Sequence, residues 1–244
     1  MEANTKSIID RIWTNFWEGG VTNPLTVIEQ ITYLLFVKGL DEIEISHERN
    51  DVMLGIKSKR IFDEEHQYCR WSNFKNYSAE KMFKVMQEEV FPFIKGLGKD
   101  KEKESNYAKY MEDAIFIIPT PIMLQKVVTA MDKLEMNDRD TKGDVYEYLL
   151  SKLSQAGVNG QFRTPRHIIK MIVELMKPTP EDIIVDPACG TAGFLVEAGE
   201  YLRRNKKDLF LSENLNEHFN NTMFYGFDMD RTMLRIGAMN LMQH

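Results

Sequence analysis

One nine-residue segment constrains the fold more than any other part of this 244-residue chain. It reads DPACGTAGF, runs from Asp186 to Phe194, and directly follows the apolar run Ile183–Val185. A β-branched run, a turn of small residues and a helix start are typical of α/β proteins that bind a nucleotide-like ligand at the end of a strand. Small residues let the ligand touch backbone, and a helix N-terminus offers free N–H groups. The sequence therefore predicts an α/β fold with a ligand-binding loop here.

The residues of this loop exclude two common phosphate-binding sites. A Walker loop needs a Gly-Lys-Ser/Thr ending, and no lysine lies between Asp186 and Tyr201. A dinucleotide site needs the pattern G-x-G-x-x-G, whereas Gly190 and Gly193 are spaced G-x-x-G. Asp186 instead places a carboxylate at the predicted strand end, which suits a cationic or hydroxyl-bearing ligand.

The whole string resembles the cofactor loop of S-adenosylmethionine-dependent DNA adenine-N6 methyltransferases, in which Asp-Pro opens the loop and a Gly-rich segment leads into a helix. The resemblance implies that the cofactor is S-adenosylmethionine. The loop residues that it implies as cofactor contacts are Asp186, Gly190, Thr191, Ala192 and Gly193. The alternative is a tight strand-to-helix bend that holds no ligand.

A second segment, residues 160–178, carries a helix start signal. Thr164 is predicted to cap the helix, and Pro165 fits the first turn because its missing N–H costs nothing there. Apolar residues then recur at helical spacing and predict one stripe; they are Ile168, Ile169, Ile172, Val173 and Met176. The segment resembles the one that closes over the methionine end of the cofactor in these methyltransferases, an ordinary capped helix being the alternative. The cofactor contacts implied by this resemblance are Gln161, Phe162, Arg163, Thr164, Pro165 and Arg166.

A third segment, residues 224–230, reads FYGFDMD and is predicted to be an aromatic strand that ends in a carboxylate before another helix. An acidic residue at the end of the second strand has two oxygens with which to accept both ribose hydroxyls, and Asp228 is predicted to do so. Asp230 is the competing candidate, but its place just before the helix favours an N-cap. Asp186 and Asp228 lie farther apart than the usual spacing of about 20 residues. Lys206 to Thr222 is therefore predicted to be an inserted polar surface loop.

The first part of the chain shows a different pattern. Apolar stripes at helical spacing predict a helix that ends at Gly19-Gly20 and a second that begins at Pro24. Later predicted helices span Glu80–Lys95, Ile122–Leu134 and Asp144–Leu153. We therefore predict an all-helical N-terminal domain at residues 1–143. The start of a Rossmann-like S-adenosylmethionine-dependent methyltransferase domain is predicted at residues 144–244.

The helical block, with its segments WTNFWEGG and EQITYLLFVKGLDE, resembles the N-terminal domain of modification subunits from type I restriction-modification systems. Together with the later motifs, the resemblance covers nearly the whole chain. It implies a DNA adenine-N6 methyltransferase subunit whose partners are a specificity subunit, a restriction subunit, a second modification subunit and double-stranded DNA. The rival functions are a methyltransferase that acts on protein glutamine or RNA, and a non-catalytic assembly module.

The adenine-binding motif of that family is missing from the sequence. These enzymes hold the target amine with an Asn/Asp-Pro-Pro-aromatic tetrapeptide, whose aromatic ring stacks on the flipped base. The chain has no two adjacent prolines, so we expect no catalytic residue in it and no methyl transfer by this chain alone. Two predicted strands also form only a marginal sheet. We expect a continuation of the chain, or else a second polypeptide, to complete it.

Composition limits the remaining possibilities. The net charge of −6 gives no overall electrostatic case for nucleic acid. Local basic candidates are Lys57, Lys59 and Arg60, or Arg70 with Trp71, with a solvated charged face as the alternative. The chain has no apolar stretch of about 18 residues and no signal pattern, so neither a membrane nor secretion is expected and a cytoplasmic site follows.

The cysteines and histidines indicate no special chemistry. Two cysteines cannot build a disulfide framework, and the five histidines lack ligand spacing, so no metal site is predicted. Cys189 lies inside the predicted cofactor loop. A small packed side chain is the preferred interpretation, and a nucleophile activated by the helix N-terminus is the alternative.

Overall fold

The computed structural model describes residues 3–98, 106–135, 139–155, 164–206, 209 and 211–243. The chain divides into two units, Met1–Asn159 and Gly160–His244. The first unit is helical in its described residues, whereas the second combines helices with two parallel strands.

The described residues of the first unit confirm the predicted helical N-terminal block. Its α-helices are α1 (Ala3–Glu18), α2 (Pro24–Leu54), α3 (Trp71–Phe74), α4 (Ala79–Val85), α5 (Phe91–Gly96), α6 (Asn106–Met111), α7 (Pro121–Met131) and α8 (Arg139–Gln155). A 3-10 helix spans Glu64–Cys69, and a π-helical turn spans Met86–Val90.

Helix α2 forms the centre of the first unit. Asn23 caps its start by accepting two backbone N–H groups of the first turn at 3.0 and 3.1 Å, and Pro24 opens the helix as predicted. Gly55 ends it in the left-handed conformation at φ 65°. Between residues 27 and 41 nearly every side chain is buried. A helix that is buried all round lies inside a core, so the other helices of this unit pack around α2.

The predicted helix from Glu80 to Lys95 is present, but it contains one irregular turn. α4 continues directly into the π-helical turn Met86–Val90 and then into α5. Pro92 lies in the first turn of α5, where it has no N–H to continue the α-helical ladder. We attribute the wider π turn to this proline, because a helix that loses an internal hydrogen bond adjusts its local winding.

Arg70 joins α2 to the segment that follows it through a buried ion pair with Asp41 and a partly exposed one with Glu48. Its Nε donates to Asp41 Oδ1 at 2.6 Å, and its terminal nitrogens donate to the two Glu48 oxygens at 2.7 and 3.2 Å. These bonds hold the pKa of the Glu48 carboxyl below its usual range. Arg70 is 8% exposed and Asp41 2%. The suggestion that Arg70 and Trp71 form a basic patch or a solvated face is therefore wrong, because the guanidinium is buried against two carboxylates.

The other basic candidate lies in the loop after α2. The Asp51 carboxylate folds this loop back, since it accepts the Ser58 N–H at 3.0 Å and a terminal nitrogen of Arg60 at 2.8 Å. The bonds from Ser58 keep the pKa of Asp51 low. Lys57 and Lys59 are exposed on the same loop. A nucleic-acid role for these lysines stays a prediction.

The Arg70 pairs lead to a stability prediction. Arg70→Met should lower the free energy of unfolding by about 3–5 kcal/mol, because it leaves the buried Asp41 carboxylate without its cation. Lys75→Met is the matched control: Lys75 pairs with Asp132 at 3.0 Å where both side chains are about one-third exposed, and its loss should cost less than about 1 kcal/mol. Urea unfolding followed by circular dichroism measures both. Equal losses in the two variants would contradict the assigned burial.

The second unit contains α9 (Arg166–Met176), β1 (Ile184–Asp186), α10 (Gly193–Asn205), α11 (Glu213–Asn221), β2 (Phe224–Gly226) and α12 (Arg231–Gln243). The strands are parallel, with Ile184 opposite Phe224, Val185 opposite Tyr225 and Asp186 opposite Gly226. The predicted order of strand, helix, strand and helix is present. Two short strands do not define a Rossmann-like sheet, so that part of the predicted fold class stays a prediction.

Helix α11 corrects the prediction of a surface loop from Lys206 to Thr222. Ser212 caps this helix, and Phe219 is buried, where its ring meets Phe224 edge-to-face at a centroid distance of 5.3 Å. The helix was not predicted because the segment is rich in asparagine, which is a weak helix former. Leu215 and Phe219, four residues apart, are the apolar signal, and both pack on the core of this unit.

Helix α9 differs from its prediction in two ways. It begins at Arg166, and Thr164 is not its cap, because Pro165 occupies the cap position in an extended conformation with φ −57° and ψ 141°. Of the five stripe residues, Ile169 and Val173 are buried. The others lie partly or fully in solvent, so this helix leaves part of its apolar stripe uncovered in the described structure.

The predicted domain boundary between residues 143 and 144 falls inside α8, which belongs to the first of the two units. The boundary between the two predicted sequence domains stays a prediction. Within the described ranges, no helix has both the length and the apolar character that crossing a membrane requires.

Candidate cofactor site

The loops after β1 and β2 are joined at the carboxyl edge of the sheet. The Phe227 N–H donates to the Asp186 carbonyl at 2.9 Å, and the Cys189 N–H donates to the Phe227 carbonyl at 2.8 Å. These two bonds extend the strand pairing beyond Asp186 and Gly226. The structure thus brings the first and third sequence motifs together, as their predicted places at parallel strand ends require.

The loop makes its turn with two residues in the left-handed region. Gly190 has φ 52° and Ala192 has φ 64°. The Ala192 N–H donates to the Cys189 carbonyl at 2.7 Å and closes the turn. Ala192 also takes the N-cap position of α10, where it has no side-chain oxygen to bind the first N–H groups of the helix. Those N–H groups are suited to an anionic ligand group.

Asp228 connects the loop to the second strand. Its Oδ2 accepts the Gly190 N–H at 2.9 Å, and its Oδ1 accepts the Asp230 N–H at 2.8 Å. A carboxylate has about four acceptor positions, so these two bonds orient Asp228 and leave capacity for two hydroxyl donors. The backbone bonds were not predicted from the sequence. The ribose role of Asp228 stays a prediction that this geometry permits.

Asp230 has the structural role predicted for it. Its Oδ1 accepts the Thr232 N–H at 2.8 Å and the Met233 N–H at 3.3 Å. It therefore caps the start of α12, and the N-cap interpretation is confirmed. The helix cap accounts for the Asp230 carboxylate without a ligand role.

Cys189 is a packed thiol between two carboxylates. Burial, together with the negative charges of Asp186 and Asp228, raises the pKa of the Cys189 thiol to about 11. The thiol is therefore neutral near pH 7, which argues against the nucleophile interpretation. Its sulfur fills the space beside Gly226, where an added Cβ would lie 2.9 Å from Sγ. Two carboxylates that disfavour a thiolate also favour a cationic ligand group at this edge.

The close packing of Cys189 on Gly226 gives a prediction about the loop. Gly226→Ala should lower the free energy of unfolding by about 1–3 kcal/mol, because the added methyl group overlaps the sulfur and the structure must shift. Cys189→Ala removes the sulfur, so Gly226→Ala should cost clearly less in that background. Thermal unfolding of both single variants and the double variant measures this coupling. Additive effects would show that the two residues do not touch.

Helix α9 begins beside this loop. Gly193 is the first residue of α10, and a Cβ on it would lie 3.2 Å from Ile169 Cδ1. Thr164 and Pro165 lie immediately before α9, and Arg166 is the first residue of this helix. Their roles as cofactor contacts stay predictions. The other three residues predicted in this segment, Gln161, Phe162 and Arg163, lie outside the described residues.

Two residues of α12 that were not predicted form the floor of the loop. Asn240 Nδ2 donates to the Thr191 carbonyl at 3.0 Å in a buried bond. A Cβ on Gly237 would lie 3.2 Å from the Gly190 carbonyl oxygen, so the glycine allows close approach of helix and loop. The sequence feature that could have identified these two residues is a glycine and a polar residue three positions apart on one apolar face of the helix.

Two family models together match almost the whole chain. The model of the HsdM N-terminal domain matches residues 5–131, and the N-6 DNA Methylase model matches residues 137–244. The second match includes the loop, Asp228 and α12.

Curated relatives match over the same length. The StySPI methylase subunit of a type I restriction enzyme from Salmonella potsdam is 28% identical over 99% of this chain, and the EcoKI methylase subunit from Escherichia coli is 27% identical over 99% of it. The chain spans 44% of the length of each of these two relatives.

A solved structure shares the fold. The chain superposes with a TM-score of 0.78 and 22% identity on a modification subunit assigned to a type I restriction enzyme of Vibrio vulnificus, covering 99% of this chain and 53% of that one. At this level of identity the likeness concerns the fold.

Proposed function

The chain belongs to the family of methylase subunits of type I restriction enzymes, and on that premise we propose that its second unit binds S-adenosylmethionine for methyl transfer to adenine N6 in DNA. The resemblance inferred from the sequence is confirmed at the level of the family. The observation that carries the proposal is the bond between the Gly190 N–H and Asp228 Oδ2 at 2.9 Å. It places an acidic residue of the second strand directly against the glycine-rich loop of the first.

The residues at this edge fit the chemistry of that cofactor. S-adenosylmethionine carries ribose hydroxyls, a cationic sulfonium and amino group, and a carboxylate. Asp228 has acceptor capacity for the hydroxyls, and Asp186 and Asp228 provide negative charge for the cationic groups. The first N–H groups of α10, uncapped by a side chain, suit the carboxylate.

The chain contributes binding and orientation. When bound, S-adenosylmethionine supplies the electrophilic methyl carbon. Asp228 and residues 190–193 hold the cofactor in one direction, so that its methyl group can face the target amine, and such alignment is a large part of catalysis in group transfer. Thr164–Arg166, at the start of α9, are proposed to cover the methionine end.

The remaining half of the site is proposed to come from residues outside this chain. Val185 and Tyr225 are opposite each other on the outward face of the sheet and are 56% and 43% exposed. Helix α9 also exposes Leu175 and Met176. Parallel sheets are normally covered on both faces, so these apolar residues support further strands and helices beyond the described ones. The adenine-binding tetrapeptide is proposed to lie in that part.

The partners follow from the family as proposals. We propose that the complete protein assembles with a specificity subunit, a restriction subunit and a second modification subunit on double-stranded DNA. The N-6 DNA Methylase match favours a DNA substrate over protein glutamine or RNA. We propose that the specificity subunit reads the DNA sequence, which is consistent with the acidic net charge of −6 in this chain.

Asp228→Ala tests the cofactor assignment. Loss of a hydrogen-bonded carboxylate should weaken S-adenosylmethionine binding roughly 10- to 150-fold, both directly and through the loop it holds. Asp182→Ala is the control, because Asp182 lies before β1 on the opposite edge, is exposed, and bonds the Thr179 N–H at 2.7 Å. The Asp182→Ala variant should bind S-adenosylmethionine with the same affinity as the unchanged chain. An Asp228→Ala variant with unchanged affinity would remove Asp228 from the site.

A second test concerns turnover. The 244-residue chain should not methylate unmethylated duplex DNA with radiolabelled S-adenosylmethionine, even where it binds the cofactor, because it lacks the adenine-binding tetrapeptide. A full-length relative such as the EcoKI enzyme serves as the positive control. Incorporation of label above background by this chain would show that another segment holds the adenine.

A further inference from the structure

The cofactor loop has one buried contact that no ligand role explains. The Thr191 carbonyl points into the unit, where Asn240 Nδ2 donates to it at 3.0 Å across 49 residues of sequence. Thr191 and Asn240 are each 6% exposed. Solvent and a bound cofactor are therefore excluded from this bond, and Asn240 can act on a ligand only through the loop.

The Asn240 side chain is used as a donor only. Its Oδ1 is buried and has no hydrogen-bond partner among the described residues. The reverse orientation of the amide would place Oδ1 against the Thr191 carbonyl, and two acceptors repel. A buried amide oxygen without a partner is unfavourable. The favourable contribution of the Asn240 side chain is therefore the hydrogen bond that its Nδ2 donates to the Thr191 carbonyl.

This bond fixes the most unusual part of the loop. Thr191 lies between Gly190 and Ala192, both in the left-handed region. An alanine in that region is strained and keeps the conformation only where its surroundings hold it. The peptide between Thr191 and Ala192 is held at both ends, because its carbonyl accepts from Asn240 while its N–H donates to the Cys189 carbonyl at 2.7 Å.

The peptide between Cys189 and Gly190 is held in the same way. The Cys189 carbonyl accepts the Ala192 N–H, and the Gly190 N–H donates to Asp228 Oδ2 at 2.9 Å. Gly237, one turn before Asn240 on α12, touches the loop backbone from below. Two peptide planes of the turn thus have fixed directions, and Asn240 anchors one of them from beneath through a hydrogen bond.

We propose that Asn240 is a positioning residue for the cofactor loop: it holds the turn at residues 190–192 so that the open N-terminus of α10 and Asp228 are arranged for the cofactor before it binds. The inference rests on the proposed function, because the ligand whose affinity it controls is S-adenosylmethionine. Preorganisation of this kind appears as affinity, since a loop that is already ordered loses less conformational freedom on binding.

Asn240→Asp is the sharpest variant, because it keeps the side-chain shape and replaces the donor with an acceptor. Binding of S-adenosylmethionine to the full 244-residue chain should weaken at least about 10-fold. The matched control is Asn220→Asp, which makes the same charge change at an exposed asparagine that also donates to a backbone carbonyl, that of Asn216, at 2.8 Å. The control should bind like the unchanged chain.

Two further readouts separate positioning from a general loss of structure. A buried carboxyl at position 240 has a raised pKa, and its protonated form carries an O–H donor. Lowering the pH should therefore restore the affinity of Asn240→Asp relative to the unchanged chain, whereas damage to the fold would deepen in acid. Without cofactor, the amides of residues 190–193 should exchange hydrogen faster in this variant and not in the control.

The outcomes are distinct for the two proposals. No binding by the unchanged chain would count against the proposed cofactor site, and the exchange rates would still test the role of Asn240. Binding by the unchanged chain together with equal affinity and equal exchange in a folded Asn240→Asp variant would overturn the role of Asn240. Should Asn240→Asp not fold, Asn240→Ala carries the same comparisons of affinity and exchange.

Discussion

The second unit depends on the hydrogen bond between the Gly190 N–H and Asp228. Two strands of three residues each provide little pairing of their own, so the ends of the sheet need additional connections. Asp228 provides one, and the backbone bonds of Phe227 to the first loop provide two more. The pairing continues past the last strand residues because of these bonds. These hydrogen bonds therefore build the fold of this edge and the candidate site together.

Electrostatics at this edge follow from the same arrangement. Parallel strands direct their carboxyl ends to one side, so Asp186 and Asp228 lie at the same edge of the sheet. Burial and the negative charges of these two carboxylates raise the pKa of Cys189. Negative charge at this edge favours a positively charged ligand group. The charge pattern therefore supports the proposed cofactor, which carries cationic groups.

Sequence patterns predicted several local features and missed long-range ones. Pro24 at the start of α2 and the Asp230 cap before α12 are encoded within a few residues, so their positions could be predicted from the sequence. The burial of Arg70 could not, because its partners Asp41 and Glu48 lie 29 and 22 residues away on another helix. Asn240 was missed for the same reason. Its partner is 49 residues distant, and a single asparagine in a helix carries no periodic signal.

The central claim is that the second unit binds S-adenosylmethionine at the edge formed by the first loop and Asp228. Calorimetric titration of the cofactor into the 244-residue chain tests it most directly, with circular dichroism to show that the chain is folded. The account predicts saturable binding with one site per chain in the micromolar range. A folded chain that releases no heat and shows no saturation, including at millimolar cofactor, would contradict it.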